Sequence, residues 1–532
     1  MKITTVTLNN TKSNALKYWA LLLLFIFSNF SVQAQDTIIV TNHVIDAQLK
    51  NQIFKYPVNY TKKHIKDFTF TELSYEYQKN QFARKQIANE INSYQFLAQG
   101  YYTTKSKWNF FGNLSLKKTD EKNLGWVLSD DRSEEQEVIL PHYFYVPRKA
   151  NWTNQEYKIS GGLSKDITNH ISIAAKLHYN TGKYSRNLDP RPEIISRKIG
   201  GELQLGYQLK ENHKIFALVG YSRSDKDFSY KYKDTHSNVE GNPDTYLRFN
   251  TGYGRIINYF KSNYYNSTRF LYKENQNKMG LGYNFSNKST KFTVLYYNQK
   301  SDNNFYSDVF DNPDNERLTI KTTTNHAELF ALHKWDKKEI KTTLKFDKSK
   351  AQNYDLKNNG YNYKNSLNAI SWLSAVSQKT GSHIDYLFGL DVLYQKNQYN
   401  DIMATNDIEI NSLNTGIFGS RDFSFGKSKL NSTVSFNMYF PLPSKLEYYD
   451  TSGGTNAAFL NEVIIHDYVV STTNYFAPAL RLEYSYPVKN NKTVVFFTNF
   501  KEKIALKKQN DYNSIINTNT TYWIQCGVQL NY

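Results

Sequence analysis

Apolar side chains recur at every second position through most of this chain, in runs broken by polar turns. Between residues 384 and 394, Ile384, Tyr386, Phe388, Leu390, Val392 and Tyr394 share one face, opposite Asp385, Gly389 and Asp391. Alternation of this kind predicts a β-strand with a single apolar side. The two tyrosines bracket an aliphatic centre; at ~3.3 Å per residue and a tilt of ~40° they stand roughly 20 Å apart along a membrane normal, close to a ~25 Å apolar band. The unit repeats. Trp108, Phe110, Gly112, Leu114 and Leu116 oppose Asn109, Asn113, Ser115 and Lys117. Tyr157, Ile159, Gly161 and Leu163 form another face, as do Ile171, Ile173, Ala175, Leu177 and Tyr179. The last run is the most regular, with Tyr522, Ile524, Cys526, Val528, Leu530 and Tyr532 against Trp523, Gln525, Gly527, Gln529 and Asn531.

Connection lengths sort into two groups. Short turns are expected at Lys165–Asn169, Lys210–His213, Asn287–Thr290, Asp336–Glu339, Lys379–Ser382, Phe425–Ser428 and Val488–Lys492. Long ones are expected from Lys118 to Ala150, Asp302 to Arg317, Asp347 to Asn362 and Ser444 to Asp467. Short turns on one rim and long loops on the other are the asymmetry of a membrane barrel. An open sheet edge in lipid would strand backbone N–H and C=O groups, so the sheet should close. The expected fold is therefore all-β: a closed antiparallel transmembrane β-barrel of about 18 strands, within a range of roughly 16–20. The stretch from Tyr246 to Lys273 decides the count, giving about 18 if mostly loop and about 20 if it holds a further hairpin. The competing fold is a secreted β-sandwich or propeller.

The N-terminus adds an address. Lys2, Lys12 and Lys17 precede the apolar run Trp19–Phe27, and Val32 and Ala34 stand as small residues before a cut. These are the parts of a secretory signal peptide, expected to be cleaved after Ala34. Residues 35–66 then form a short periplasmic N-terminal segment, either a tail or a small hatch, and residues 67–532 the barrel. No later stretch is long and apolar enough for a helical span. A mean hydropathy of −0.65 is compatible with a barrel, because a strand offers only alternate residues to lipid. Aromatics make up 16% of the chain, including 43 tyrosines, which suits two interfacial girdles. The single cysteine, Cys526, excludes an internal disulfide and sits on the lipid-facing side of its strand. The net charge of +18 comes without a basic reading motif, so no nucleic-acid partner is expected.

Taken together, the export signal, the aromatic-rich alternating strands and the terminal Tyr532 resemble the outer-membrane β-barrel proteins of Gram-negative bacteria. The Tyr/Asn/Lys-rich style and the Ala34-Gln35 junction further resemble the uncharacterised outer-membrane barrels of Bacteroidetes. The resemblance implies an outer-membrane location with both termini periplasmic, and outer-membrane lipid and lipopolysaccharide as surroundings. It also implies recognition of the last strand by the barrel-assembly machinery.

Candidate chemistry is sparse. His170-Ile171-Ser172 has the His-x-Ser spacing of barrel-embedded lipid hydrolases. Ile171 and Ile173 occupy the lipid face, so His170 and Ser172 should point inward near a short turn, away from a lipid substrate. Asp302, Asp308, Asp311, Asp314 and Glu316 crowd one loop and could attract Ca²⁺, but their spacing does not match a calcium loop. The acidic stretch Asp130–Glu137 reads as a solvated loop face. No catalytic, metal or cofactor-binding residues are assigned, and no cofactor is expected. Residues 35–66 are too few for the plugged lumen of a 22-stranded energised transporter. A passive pore or small-solute or lipid transporter is the leading expectation. A non-catalytic scaffold or surface-binding protein of an envelope or secretion complex is the alternative, and a lipid hydrolase the third.

Overall fold

The computed structural model describes residues 44–62, 65–131, 142–232, 246–254, 256–260, 267–307, 316–356, 358–380, 383–448, 455–488, 492–507 and 520–532. The signal-peptide region therefore lies outside the described residues.

The described residues open with a helix, α1 (Val44–Lys55), and a 3₁₀ turn, Pro57–Tyr60. Then come β1 (Phe68–Asn80), β2 (Glu90–Thr103), β3 (Asn109–Leu124), the short β4 (Tyr143–Tyr145), β5 (Ala150–Asp166), β6 (Ile171–Arg186), β7 (Arg191–Lys210) and β8 (His213–Lys231). After the short pair β9 (Tyr246–Asn250) and β10 (Ile256–Phe260) follow β11 (Ser267–Ser286), β12 (Thr290–Ser307), β13 (Glu316–Trp335), β14 (Lys338–Asp355) and β15 (Tyr363–Thr380). The remainder holds β16 (His383–Asp401), β17 (Asn406–Phe425), β18 (Ser428–Pro441), β19 (Lys445–Glu447), helices α2 (Thr455–Phe459) and α3 (His466–Ser471) with a π-helical stretch between them, and β20 (Asn474–Pro487), β21 (Thr493–Lys507) and β22 (Thr520–Asn531).

Each long strand pairs antiparallel with its neighbour in sequence, and β1 pairs with both β2 and β22. At the closing seam Phe70 faces Asn531 and Lys79 faces Tyr522. The nineteen-stranded sheet includes the three-residue β19, which only continues the line of β18 against the start of β17; the closed barrel has 18 strands. The stretch left open by the sequence holds the hairpin β9–β10, which joins β4 in a separate three-stranded sheet. Tight turns are made where the backbone can turn left-handed: Asp336 (φ 52°) and Gly426 (φ 61°) each open a two-residue hairpin.

The strands are longer than their alternation suggests. β7, β11, β13 and β17 have 20 residues each. At ~3.3 Å per residue that is about 66 Å, far more than a tilted strand needs to cross a ~25 Å band. Outward apolar residues gather at the end nearest the short turns. On β7 these are Ile199, Leu203, Leu205 and Tyr207, whereas Glu193 in the other half forms a half-exposed ion pair with Lys183. β8 and β11 repeat this, with Val219 and Tyr221, and Met279 and Leu281, exposed on the lipid side. The barrel thus crosses the membrane with one half and projects from it with the other. Residues 347–355, expected as loop, are the projecting half of β14; their sequence lacks an outward apolar row because no lipid meets them there. Likewise β12 continues to Ser307, and the expected loop from Ser444 carries β19, α2 and α3.

One face assignment needs correction. A bulge at the start of β16 pairs Lys379 with Ile384 and Gln378 with Tyr386, leaving Asp385 extra. The added residue reverses the parity. Ile384 therefore turns inward, 2% exposed and packed with Ala375 and Leu387, while Phe388 stays outward at 66%.

A Leu203→Arg substitution puts a guanidinium at the middle of the outward belt and should cost about 2–4 kcal/mol of stability in lipid. The same change at Glu193, in the projecting half, should cost well under half as much. Urea titration of protein refolded in vesicles compares the two.

Candidate functional site

The lumen is divided between two inserted elements. The first is a hatch made by α1 and the 3₁₀ turn. Asp46 in the first turn and Lys55 in the last suit the helix dipole, and Pro57 stops the helix just ahead of itself. Inward side chains of the wall hold this segment through polar contacts. Asp46 accepts from Lys341 at 3.0 Å and Lys379 at 2.9 Å, and both lysines also reach Glu339. Gln52 Nε2 and Tyr56 Oη donate to the two oxygens of Glu328, at 2.6 and 3.0 Å. Burial and the Glu328 carboxylate beside it push the Tyr56 phenol above its ordinary range. Lys176 and Gln204 donate to the Lys55 carbonyl at 2.8 and 2.7 Å. Lys214 Nζ donates to the Val58 carbonyl at 2.8 Å and to Ser172 Oγ at 2.9 Å. Apolar contacts complete the seat: Leu49, Ile53 and Tyr60 pack on Tyr101, Phe111, Phe330 and Leu332, and Tyr56 and Val58 on Ala174, Phe216, Leu218 and Leu295. Gly206 is required opposite Val58, since a Cβ there would stand 2.9 Å from its methyl group and 2.6 Å from Ser172 Oγ.

The second element is a cap across the projecting half. Residues 124–128, the β4–β9–β10 sheet and residues 459–465 share one apolar core with inward side chains of the strands, among them Phe228, Tyr230, Phe270, Phe305, Tyr363 and Tyr399. Phe144 sits at its centre, 4.1 Å between ring centroids from Phe270 and 4.5 Å from Phe249. Asparagines clamp the turn after β9. Asn353 Nδ2 donates to the Thr251 carbonyl at 2.6 Å, and Asn406 Nδ2 to the Tyr253 carbonyl at 2.7 Å. Gly254, at φ 123°, adopts a backbone that a side chain would strain. Burial pushes the Tyr143 phenol up to about 12 and the His142 imidazole down to about 3.

Between the hatch and the wall from β15 to β22 lies a cavity of about 420 Å³. Ala47, Gln48 and Asn51 of α1 line one side, and Asp391, Arg481, Lys501 and Trp523 the other. A second cavity of about 420 Å³ opens at the short-turn rim, lined by His383, Lys429, Glu483, Thr493 and Gln529. The ion pair between Arg481 and Glu483 stands where the two adjoin.

The residues singled out by sequence fall mostly elsewhere. Ser172 points inward and is buried, yet its hydroxyl binds Lys214, while His170 Nδ1 faces the Gln208 carbonyl at 3.2 Å. No nucleophile–base pair is formed there; Ser172 belongs to the hatch anchorage. Asp302 and Glu316 lie on strands, and Asp308, Asp311 and Asp314 lie outside the described residues. Among the described residues no cluster with metal-ligand geometry is present. Asp130, expected on a solvated face, is instead buried and paired with Lys226 at 3.0 Å, together with Asp131 at 2.7 Å; Arg132–Pro141 lie outside the described residues. Cys526 is exposed on the outer face as expected. The hatch contacts were missed because they join residues hundreds of positions apart; inward-parity charges such as Glu328 and Lys341 on otherwise membrane-crossing strands were the available signal.

A family model described as a family of unknown function (DUF6850) matches residues 57–532. No curated protein matches the chain. Among solved structures, the chain is similar to BauA, the ferric preacinetobactin receptor of Acinetobacter baumannii, at 11% identity over 88% of this chain and 80% of that one, with a TM-score of 0.38. It is similar to the ferric yersiniabactin uptake receptor FyuA of Yersinia pestis at 7% identity over 87% and 79%, with a TM-score of 0.41. The outer-membrane transporter YddB of Escherichia coli matches at 8% identity over 88% and 81%, with a TM-score of 0.37.

Lys341→Met removes a buried cation from Asp46 and should weaken the hatch by about 3 kcal/mol. Hydrogen exchange across residues 44–55 then accelerates by roughly 100-fold, with the barrel strands unchanged. The cap should respond to pH. Asn353 donates to His142 Nε2 at 3.3 Å, which needs a neutral ring. The imidazole's pKa in the folded cap, about 3, lies below its ordinary 6.5, so protons favour the loosened cap. Stability is full above about pH 6.5 and is lost toward pH 3, approaching about 1.4 kcal/mol per pH unit. Exchange in residues 142–146 followed from pH 7 to 4 should show this, and His142→Gln should give a flatter profile.

Proposed function

The chain belongs to the family of unknown function DUF6850, and we propose that it is a gated conduit of the outer membrane, shut at rest by its own N-terminal hatch. The observation that carries this reading is the contrast between the two inserted elements. The hatch is held by a row of ion pairs and hydrogen bonds, whose partners water can replace one at a time, beside two small apolar clusters. The cap is held by a continuous aromatic core, which water cannot replace. Beside the hatch, two adjoining cavities follow one side of the wall toward the short-turn rim. Displacing the hatch would join them into a passage within the membrane-crossing half. An 18-stranded barrel has more interior than its wall side chains fill, which leaves room for solute once the hatch moves.

The same reading puts the short turns and both barrel ends on the periplasmic side and the projecting half outside the cell. The export pattern ending at Ala34 and the long connections on the projecting rim support that orientation. Outer-membrane lipid would surround the apolar belt, with lipopolysaccharide beside the polar projecting wall. The last strand, whose backbone extends the seam to a hydrogen bond from Tyr532 N to the Thr69 carbonyl, would be the element read by an assembly machinery.

A surface-binding scaffold is the second reading, favoured by the cap, whose apolar core gives the outer end a fixed shape. Planar-bilayer recording separates the two. Native protein should show little steady conductance, and Asp46→Asn combined with Lys341→Met should raise it at least tenfold. A loosened hatch without any conductance would reject the conduit.

A further inference from the structure

Asp391 and Lys501 stand out in the cavity beside the hatch. Both are on inward faces, opposite Leu373 and Trp523 respectively, and both remain exposed to the open lumen. Their neighbours are committed: Arg481 pairs with Glu483 and donates to Asn499, and Thr433 donates to Ser420 and Asn431. Neither Asp391 nor Lys501 makes a hydrogen bond or ion pair with another described residue; Lys345 acts on Asp391 only through space. Nor can they neutralise each other. They sit on β16 and β21 with β17, β18 and β20 between, four steps of ~4.8 Å, or about 19 Å along the wall.

We propose that this cavity binds a short linear peptide by its two free ends, the ammonium at Asp391 and the carboxylate at Lys501. The inference rests on the conduit reading for its purpose but not for its chemistry. A simple anion would satisfy Lys501 and leave Asp391 without a partner; a neutral solute would displace water from both charges and pair neither. A zwitterion with separated charges satisfies both. The curved wall and the reach of the lysine shorten the gap, so three or four extended residues at ~3.4 Å each can bridge it. The cavity volume of about 420 Å³ accommodates a ligand of that class. Between the two charges, Phe418, Leu387 and Trp523 offer apolar surface to side chains, and Ser435 offers a hydroxyl to the peptide backbone.

Isothermal titration of the purified full-length protein with trialanine and tetra-alanine tests this, each used free, N-acetylated and C-amidated. Free peptides should bind at least tenfold more tightly than either blocked form. Lys501→Gln should abolish discrimination against the amide while keeping that against the acetyl form, and Asp391→Asn should do the converse. Both side chains face lumen water, and unchanged heat-modifiable gel mobility confirms that the variants fold. Equal binding of free and blocked peptides, or no saturable binding to native or hatch-loosened protein, overturns the proposal. If the loosened hatch conducts but the ends are not discriminated, only the peptide site fails; end-specific binding to a barrel that never conducts removes the conduit and leaves the site.

Discussion

Everything in this protein depends on closing the seam between β1 and β22. In hydrocarbon an unpaired N–H or C=O has no water to turn to, so a sheet in lipid must leave no edge. Eleven consecutive pairs from Phe70↔Asn531 to Asn80↔Thr521 meet that demand using the first and last strands of the barrel. Closure fixes the antiparallel order, and the strand number fixes a lumen wider than the wall side chains can fill. Hatch and cap both answer the same surplus of interior space.

The two halves of the barrel obey opposite polarity rules. Within the membrane Leu203 and Leu281 face out, and charges such as Glu328 and Lys341 face in. Beyond it the outer surface carries Glu193 and Lys183, while Ile194, Tyr230 and Phe270 turn inward. The projecting half behaves as a water-soluble β-domain, and the cap is its hydrophobic core. That is why the cap is built around an apolar core while the hatch adds a row of polar anchors to its apolar contacts: each matches the wall that surrounds it.

The membrane half was legible in the sequence because lipid imposes period two on one face. The strand at 522–532, the short turns and the strand number could be read from it. The projecting half was not, because an inward apolar residue such as Tyr272 or Phe305 has the same spacing as an outward one but no tyrosine girdle to orient it. Ile384 was misassigned for a related reason: a single bulge at Asp385 flips the parity, and no local residue type announces it. His170-x-Ser172 illustrates the limit of motif spacing. Ser172 turns inward as read, but His170 is exposed and stacks on the outward Tyr207, and the partner that defines Ser172 is Lys214, brought in by the neighbouring turn and by Val58 of the hatch. The charged contacts of the cavity could not be seen at all, since register alone places Asp391 and Lys501 in one chamber.

The hatch's anchors are also arranged in order along its length. Asp46 comes first, then Gln52, the Lys55 carbonyl, Tyr56 and the Val58 carbonyl, before the chain continues into β1. A load applied to the chain ahead of Asp46 therefore meets these contacts in sequence instead of all at once. Mechanically the segment is a zipper, not a bolt: the force needed to open it is that of its strongest single tooth, however large the sum of its contacts. Thermal agitation, by contrast, must break them together. A plug can in this way hold firmly against solutes on either side and still yield to a modest, directed pull.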